Sequence, residues 1–130
     1  YEGNYELIEH STPSPYSFVL FDRNANVAGR DTLYVADGRT VANGGGLQKW
    51  TFDGATWTLA TTWSGGLTLG LRGLTGYVAG NSVVLFATTA DSTLNKLVRF
   101  IDDGVNTPTA EVLATATANT MFRGVALAPQ

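Results

Sequence analysis

The chain holds no cysteine and a single histidine in 130 residues. Disulfides and thiolate metal sites are therefore excluded. Charge is scarce as well. Asp, Glu, Lys and Arg supply 15% of the residues, where ordinary domains use about a quarter. The eight Lys and Arg residues are scattered and the net charge is −3. A nucleic-acid footprint needs clustered basic side chains, so no nucleic-acid partner is expected. No apolar run reaches the eighteen residues of a membrane-spanning helix, and no membrane insertion is expected. Helical periodicity is missing too, because the apolar spacings of four fall inside Thr-, Val- and Gly-rich runs that favour strands. Position 1 is Tyr rather than Met and no secretory leader is visible, so a processed chain, a cleaved tag or a fragment is expected. No Asn-x-Ser/Thr acceptor for N-linked sugar occurs.

What remains is 44% hydrophobic, enough for the core of one domain. With so little charge, the surface must be built from Thr, Ser, Asn and Gly. That composition suits an extracellular or cell-surface β protein.

Runs of β-formers recur between Gly, Asn and Asp. They predict strands over 16–22, 32–37, 47–52 and 57–63. The order then returns as 69–78, 82–89, 96–102 and 111–117, and 122–128 opens a further copy. The recurrence holds residue by residue. Leu33-Tyr34-Val35 answers to Val83-Val84-Leu85, Lys49-Trp50 to Arg99-Phe100, and Asp53-Gly54 to Asp103-Gly104, all fifty positions apart. Leu59-Ala60-Thr61 is matched with Leu113-Ala114-Thr115 across a four-residue insertion, and Leu71-Arg72-Gly73-Leu74 with Phe122-Arg123-Gly124-Val125.

Four short antiparallel strands in about fifty residues make one β-propeller blade. Blades stack face to face, so their middle strands are buried on both sides. This accounts for the continuous apolar runs at 32–36 and 83–87. In the fourth strand, Trp57, Leu59 and Trp63 are expected to share a face. A β-helix uses shorter repeats, and an immunoglobulin-like sandwich has no fifty-residue self-similarity. The alternative is a single up-and-down β-barrel of eight or nine strands. The expected organisation is an N-terminal extension (1–15), a first blade (16–66), a second blade (67–118) and the opening strand of a further blade (119–130). In the extension, Tyr5, Leu7 and Ile8 are candidates for a strand on a blade edge.

The segments DTLYVADG, GGLQKWTFDG and FRGVAL resemble blades of NHL-type and gluconolactonase-like β-propellers. The likeness is one of repeats and spans most of 16–130. It implies the fold. In gluconolactonase-like enzymes a Glu, an Asn and an Asp from different blades converge on one divalent metal. Here Glu occurs only at Glu2, Glu6, Glu9 and Glu111, none at the start of an inner strand.

Two blades and one strand cannot close a ring of four to eight blades. The open faces call for partners, either copies of the chain or the remaining blades of a longer one. Three copies would make six blades, and a contact that fails to close would make a filament.

Candidate site residues are few. Arg72 and Arg123 stand at equivalent Arg-Gly steps and could meet an anion or carboxylate in a central channel. The structural account is that each bonds loop carbonyls. Asp22 and Asp37 end the first two strands and are weak candidates for a Ca²⁺ site, Asp more often capping turns. Trp57, Trp63 and Tyr77 are candidates for stacking on a carbohydrate, with burial between blades as the structural account. His10 has no partner to build a metal site or a triad. Gly44-Gly45-Gly46 lacks the Lys-Ser/Thr and helix of a phosphate loop. No catalytic set emerges. The expected function is a non-catalytic extracellular β-propeller module for binding or assembly, with carbohydrate or protein as the ligand. The alternatives are part of a propeller hydrolase or lactonase whose metal site other blades complete, and a self-assembling fibre subunit.

Overall fold

The computed structural model describes residues 12–129. They form eight strands: β1 (Pro15–Phe21), β2 (Thr32–Asp37), β3 (Gly46–Phe52), β4 (Trp57–Trp63), β5 (Leu71–Ala79), β6 (Ser82–Thr89), β7 (Lys96–Asp102) and β8 (Glu111–Thr115). A 3₁₀ turn occupies Val41–Asn43. Strands β2, β4, β6 and β7 begin and end where the runs of β-formers place them. The expected all-β class is met.

The strands pair as two antiparallel meanders, β1-β2-β3-β4 and β5-β6-β7-β8. Within each meander every strand bonds to its neighbour in sequence, across Gly-, Asn- and Asp-containing loops. The single-barrel alternative is thereby corrected, because β4 and β5 lie in different sheets. The two sheets are joined by an isolated bridge, Thr40 to Leu69, and by the Val41 amide donating to the Thr68 carbonyl at 3.0 Å.

One face of the first sheet packs on one face of the second. Tyr34, Ala36 and Leu47 meet Leu85, Ala87, Val98 and Phe100, with Leu71 and Leu74 between them. All are buried, and each large side chain of this set contributes about 1.5–3 kcal/mol through burial. Phe21 meets Tyr34 edge to face at 6.0 Å, and Trp63 stacks on Tyr34 at 6.4 Å.

Three expectations are corrected here. Trp57, Leu59 and Trp63 do not share a face. Lys49 pairs with Thr61 but Trp50 pairs with Leu59, so Ala60 is an extra residue, a β-bulge. The bulge sends Trp57 and Leu59 to the outer face beside Phe52 and Trp50, and Trp63 to the inner face beside Leu47. The match of Leu59-Ala60-Thr61 to Leu113-Ala114-Thr115 also fails in space. Lys49 pairs with Thr61 and its counterpart Arg99 pairs with Glu111, so the fifty-residue offset continues into β8. The counterpart of 57–60 is 107–110, which is not in a strand. Pro108, which has no amide proton to give a ladder, sits in that stretch. The third correction concerns 122–128. This stretch carries no strand, because a strand needs a ladder partner and these residues run beside β5 without one.

Candidate functional site

The C-terminal stretch is held by a side chain that imitates backbone. The buried amide of Asn95 donates to the Phe122 carbonyl at 2.7 Å and accepts from the Phe122 amide at 2.9 Å. Gly73 lets the next residues approach, because a Cβ there would lie 3.1 Å from the Gly124 Cα and 2.8 Å from the Thr88 hydroxyl. Arg123 is thus carried to the mouth of a cleft of ≈ 320 Å³ whose wall includes Arg72, Tyr16, Asn95, Phe122 and Val125. Two residues 51 positions apart, singled out by their repeat position, line one cleft.

The cations of the chain divide cleanly. Arg23 donates to the carbonyls of Gly80 and Asn81, and Arg30 to that of Leu20. Arg39, Lys49, Lys96 and Arg99 pair with Asp37, Asp102, Asp91 and Glu111. Among the described residues, Arg72 and Arg123 have neither a carboxylate nor a carbonyl acceptor. The expected bonds to loop carbonyls are not made. Arg72 lies over the Tyr16 ring, 5.0 Å from its centroid, and its buried Nε has no hydrogen-bond partner. Among the described residues no Asp or Glu lines the cleft.

The remaining candidates are scattered. Asp22 and Asp37 are not brought together. Asp37 pairs with Pro15 at one end of the β1–β2 ladder, whereas Asp22 follows Phe21 at the other, about 20 Å along the strand. The Asp37 carboxylate is occupied by Arg39 at 2.8 Å and by the Gln48 amide at 3.2 Å. Trp63 lies between the sheets, with the Lys49 ammonium 5.8 Å from its ring centroid. Tyr77 is on the outer face of the second sheet, stacked on Phe86 at 6.3 Å. Trp57 is on the outer face of the first, stacked on Phe52 at 5.2 Å. There it lines a groove of ≈ 610 Å³ with Trp50, Phe18, Leu33 and Val35. The three aromatic candidates thus occupy three different surfaces. Gly44 lies against the Arg39 side chain, whose guanidinium donates to the Gly44 carbonyl at 3.1 Å, while Gly45 packs on the Arg39 backbone and Gly46 on that of Trp63. His10 and the proposed edge strand at Tyr5, Leu7 and Ile8 lie outside the described residues. Among the described residues no group of three or more His, Asp or Glu could hold a metal ion.

One polar cluster escaped the sequence reading. Between the sheets, the Asp102 carboxylate accepts the Tyr34 hydroxyl at 2.7 Å, the Lys49 ammonium at 2.5 Å and the Gly104 amide at 3.0 Å. Burial alone would raise the Asp102 pKa. The bonds from Lys49, Tyr34 and Gly104 outweigh it and hold the carboxyl below its ordinary value. Burial first, and the bond to Asp102 second, push the Tyr34 phenol far up, so it stays a donor. The ion pair, with the Tyr34 hydroxyl on the same carboxylate, links one sheet to the other. The residues are 53 and 68 positions apart, and no local pattern announces them.

No family model, curated protein or solved structure matches the chain.

Proposed function

We propose that the chain is a non-catalytic, extracellular β-propeller module that works in assembly, its two outer faces covered by further blades of the same kind. The fifty-residue repeat, the two stacked meanders and the sparse charge support this reading. The observation that carries it is how residues change between the face that is used and the faces that are open.

Inside the chain, Tyr34 and Lys49 of the first sheet meet Asp102 of the second. At the repeat-equivalent positions on the outer faces stand Val84, Arg99 and Phe52. Where the inner contact sets a hydroxyl on a carboxylate, the outer contact would set Val84 on Phe52. Both members change from polar to apolar together. Arg99, the counterpart of Lys49, is neutralised within its own sheet by Glu111. A second copy stacked in the geometry of the first pair would therefore bury no unpaired charge. The outer faces are also apolar. Phe18 is 65% exposed on one, and Tyr77 and Ile101 are 44% and 45% exposed on the other. Large exposed apolar patches mark interaction surfaces.

Three copies would supply six blades, within the range of closed propellers. The copies supply these blades in the present reading, and the rest of a longer chain would supply them if 1–130 is a part. Sedimentation or light scattering tests the proposal. A discrete trimer is expected. A monodisperse 13.8 kDa monomer with a cooperative melt would overturn it, and very large species would replace the ring with a filament. Turnover of a lactone or ester panel with added divalent metal would overturn the non-catalytic part.

A further inference from the structure

We propose that the cleft between β5 and residues 122–125 binds a small organic carboxylate through Arg72 and Arg123. The proposal rests on one chain's own cleft and does not depend on how copies assemble.

Four observations carry it. First, the only two cations without an acidic or carbonyl acceptor among the described residues line the same cleft. Like charges placed together without a counter-charge repel, and an anion between them removes that repulsion. Second, the buried Nε of Arg72 has no acceptor. A buried unpaired donor is costly, and a carboxylate oxygen is the acceptor a guanidinium fork fits best. Tyr16 beneath Arg72 supports that guanidinium against its ring. Third, among the described residues no Asp or Glu lines the cleft to compete for the two forks. Fourth, Leu74, Phe122 and Val125 stand beside the arginines, with Ser17, Thr89 and Asn95 as the polar part of the wall. The apolar side chains suit a carbon skeleton, and the volume lies at the small end of ligand pockets. Inorganic phosphate would prefer a nest of backbone N–H groups, and among the described residues the arginines are the only charged groups lining this cleft.

The site also reads the repeat. Arg72-Gly73 and Arg123-Gly124 are the same step of consecutive copies, and Asn95 pins the second against the first. A ligand here would tie the C-terminal stretch to β5.

The test is a ¹H–¹⁵N NMR titration of the whole chain with sodium benzoate, alongside sodium phosphate and sodium chloride at equal ionic strength. Benzoate is expected to shift the Gly73 and Gly124 amides and the Arg72 Nε–H signal saturably. Arg123 is exposed and its side chain has no acceptor among the described residues, so Arg123→Gln should keep the melting temperature and weaken benzoate roughly tenfold. Arg72→Gln with Arg123→Gln should abolish the saturable shift. The proposal is overturned if benzoate gives no saturable shift, or if the single Arg123→Gln variant binds as the parent does. It is also overturned if phosphate or chloride moves the same signals equally.

Discussion

Trp50 and Phe100 hold the same place in the two sheets, yet Phe100 is wholly buried and Trp50 only half so. Leu85 is buried, while its counterpart Val35 lines a groove. The sheets are alike in pattern and differ in what lies against them. Phe100 faces the first sheet of the same chain, and Trp50 faces outward. The lesson is that equal residues at equal repeat positions acquire different environments from neighbour order alone. The polar exchanges follow it. Asp102 stands where a Tyr and a Lys can satisfy it, and Phe52 stands at the equivalent place on the open face.

That contrast can be broken most severely at Asp102. Replacing it with Ala strands the Lys49 ammonium between the sheets, and about 3 kcal/mol of stability should be lost in chemical denaturation. Ile101→Asp makes the opposite cut. It places a charge on the open face of the second sheet, so the melt of the isolated chain should hardly move while the proposed trimer should be missing from sedimentation profiles. If both variants behaved alike, the difference between inner and outer faces would be fictitious.

A smaller effect is expected at Asn95, whose counterpart in the first copy is Gly45. Asn95→Ala removes both bonds to Phe122 and leaves its amide and carbonyl unpaired. About 2 kcal/mol should go, and residues 121–129 should become susceptible to proteolysis while β1–β4 stay protected.

The two Asp-Gly turns sharpen the likeness rather than the difference. Asp53 accepts the amides of Ala55 and Thr56, both at 2.8 Å, and Asp103 those of Val105 and Asn106 at 2.8 and 2.7 Å. Gly54 and Gly104 both have positive φ, +101° and +76°, with open space around them. Gly54→Ala and Gly104→Ala should each cost about 1 kcal/mol, and the two values should agree within error.

The gentlest probe is acid. The amide of Thr56, then that of Ala55, lowers the Asp53 pKa, and the amide and side chain of Asn106 with the Val105 amide bring Asp103 to about 2. Asp102 is lowered as well, by bonds that outweigh its burial. Groups whose folded pKa is depressed stabilise the fold above their unfolded value, near 3.8, and lose that contribution as pH falls through the folded value. Stability should therefore drop between about pH 4 and pH 2, and Asp102→Asn should flatten that drop in a melting series.

Much of the fold was legible in the chain. The Thr-, Val- and aromatic-rich runs between Gly and Asp place β2, β4, β6 and β7 to the residue, because strand preference and turn chemistry are local. The fifty-residue recurrence separates the chain into two meanders for the same reason. Less legible was anything that depends on what a residue faces. Alternation assigns Trp57 and Trp63 to one side, but a single extra residue at Ala60 reverses it, and a bulge leaves no mark in a period of two. The last stretch, 122–128, has a strand's composition without a strand's partner.

The candidate site divides the same way. Repeat position alone singled out Arg72 and Arg123, since Arg-Gly returns at the same step. Only the packed chain brought them to one cleft without an acceptor among the described residues, because the approach of 122–125 to Gly73 and the bonds of Asn95 span distances that sequence spacing does not express. It likewise parted Asp22 from Asp37 and joined Lys49 and Tyr34 to Asp102. By itself the sequence determined strands, turns and their recurrence, which arise from each residue's own backbone preference and its near neighbours. The tertiary structure decided faces, partners and free charges, which arise from contacts between residues some fifty positions apart.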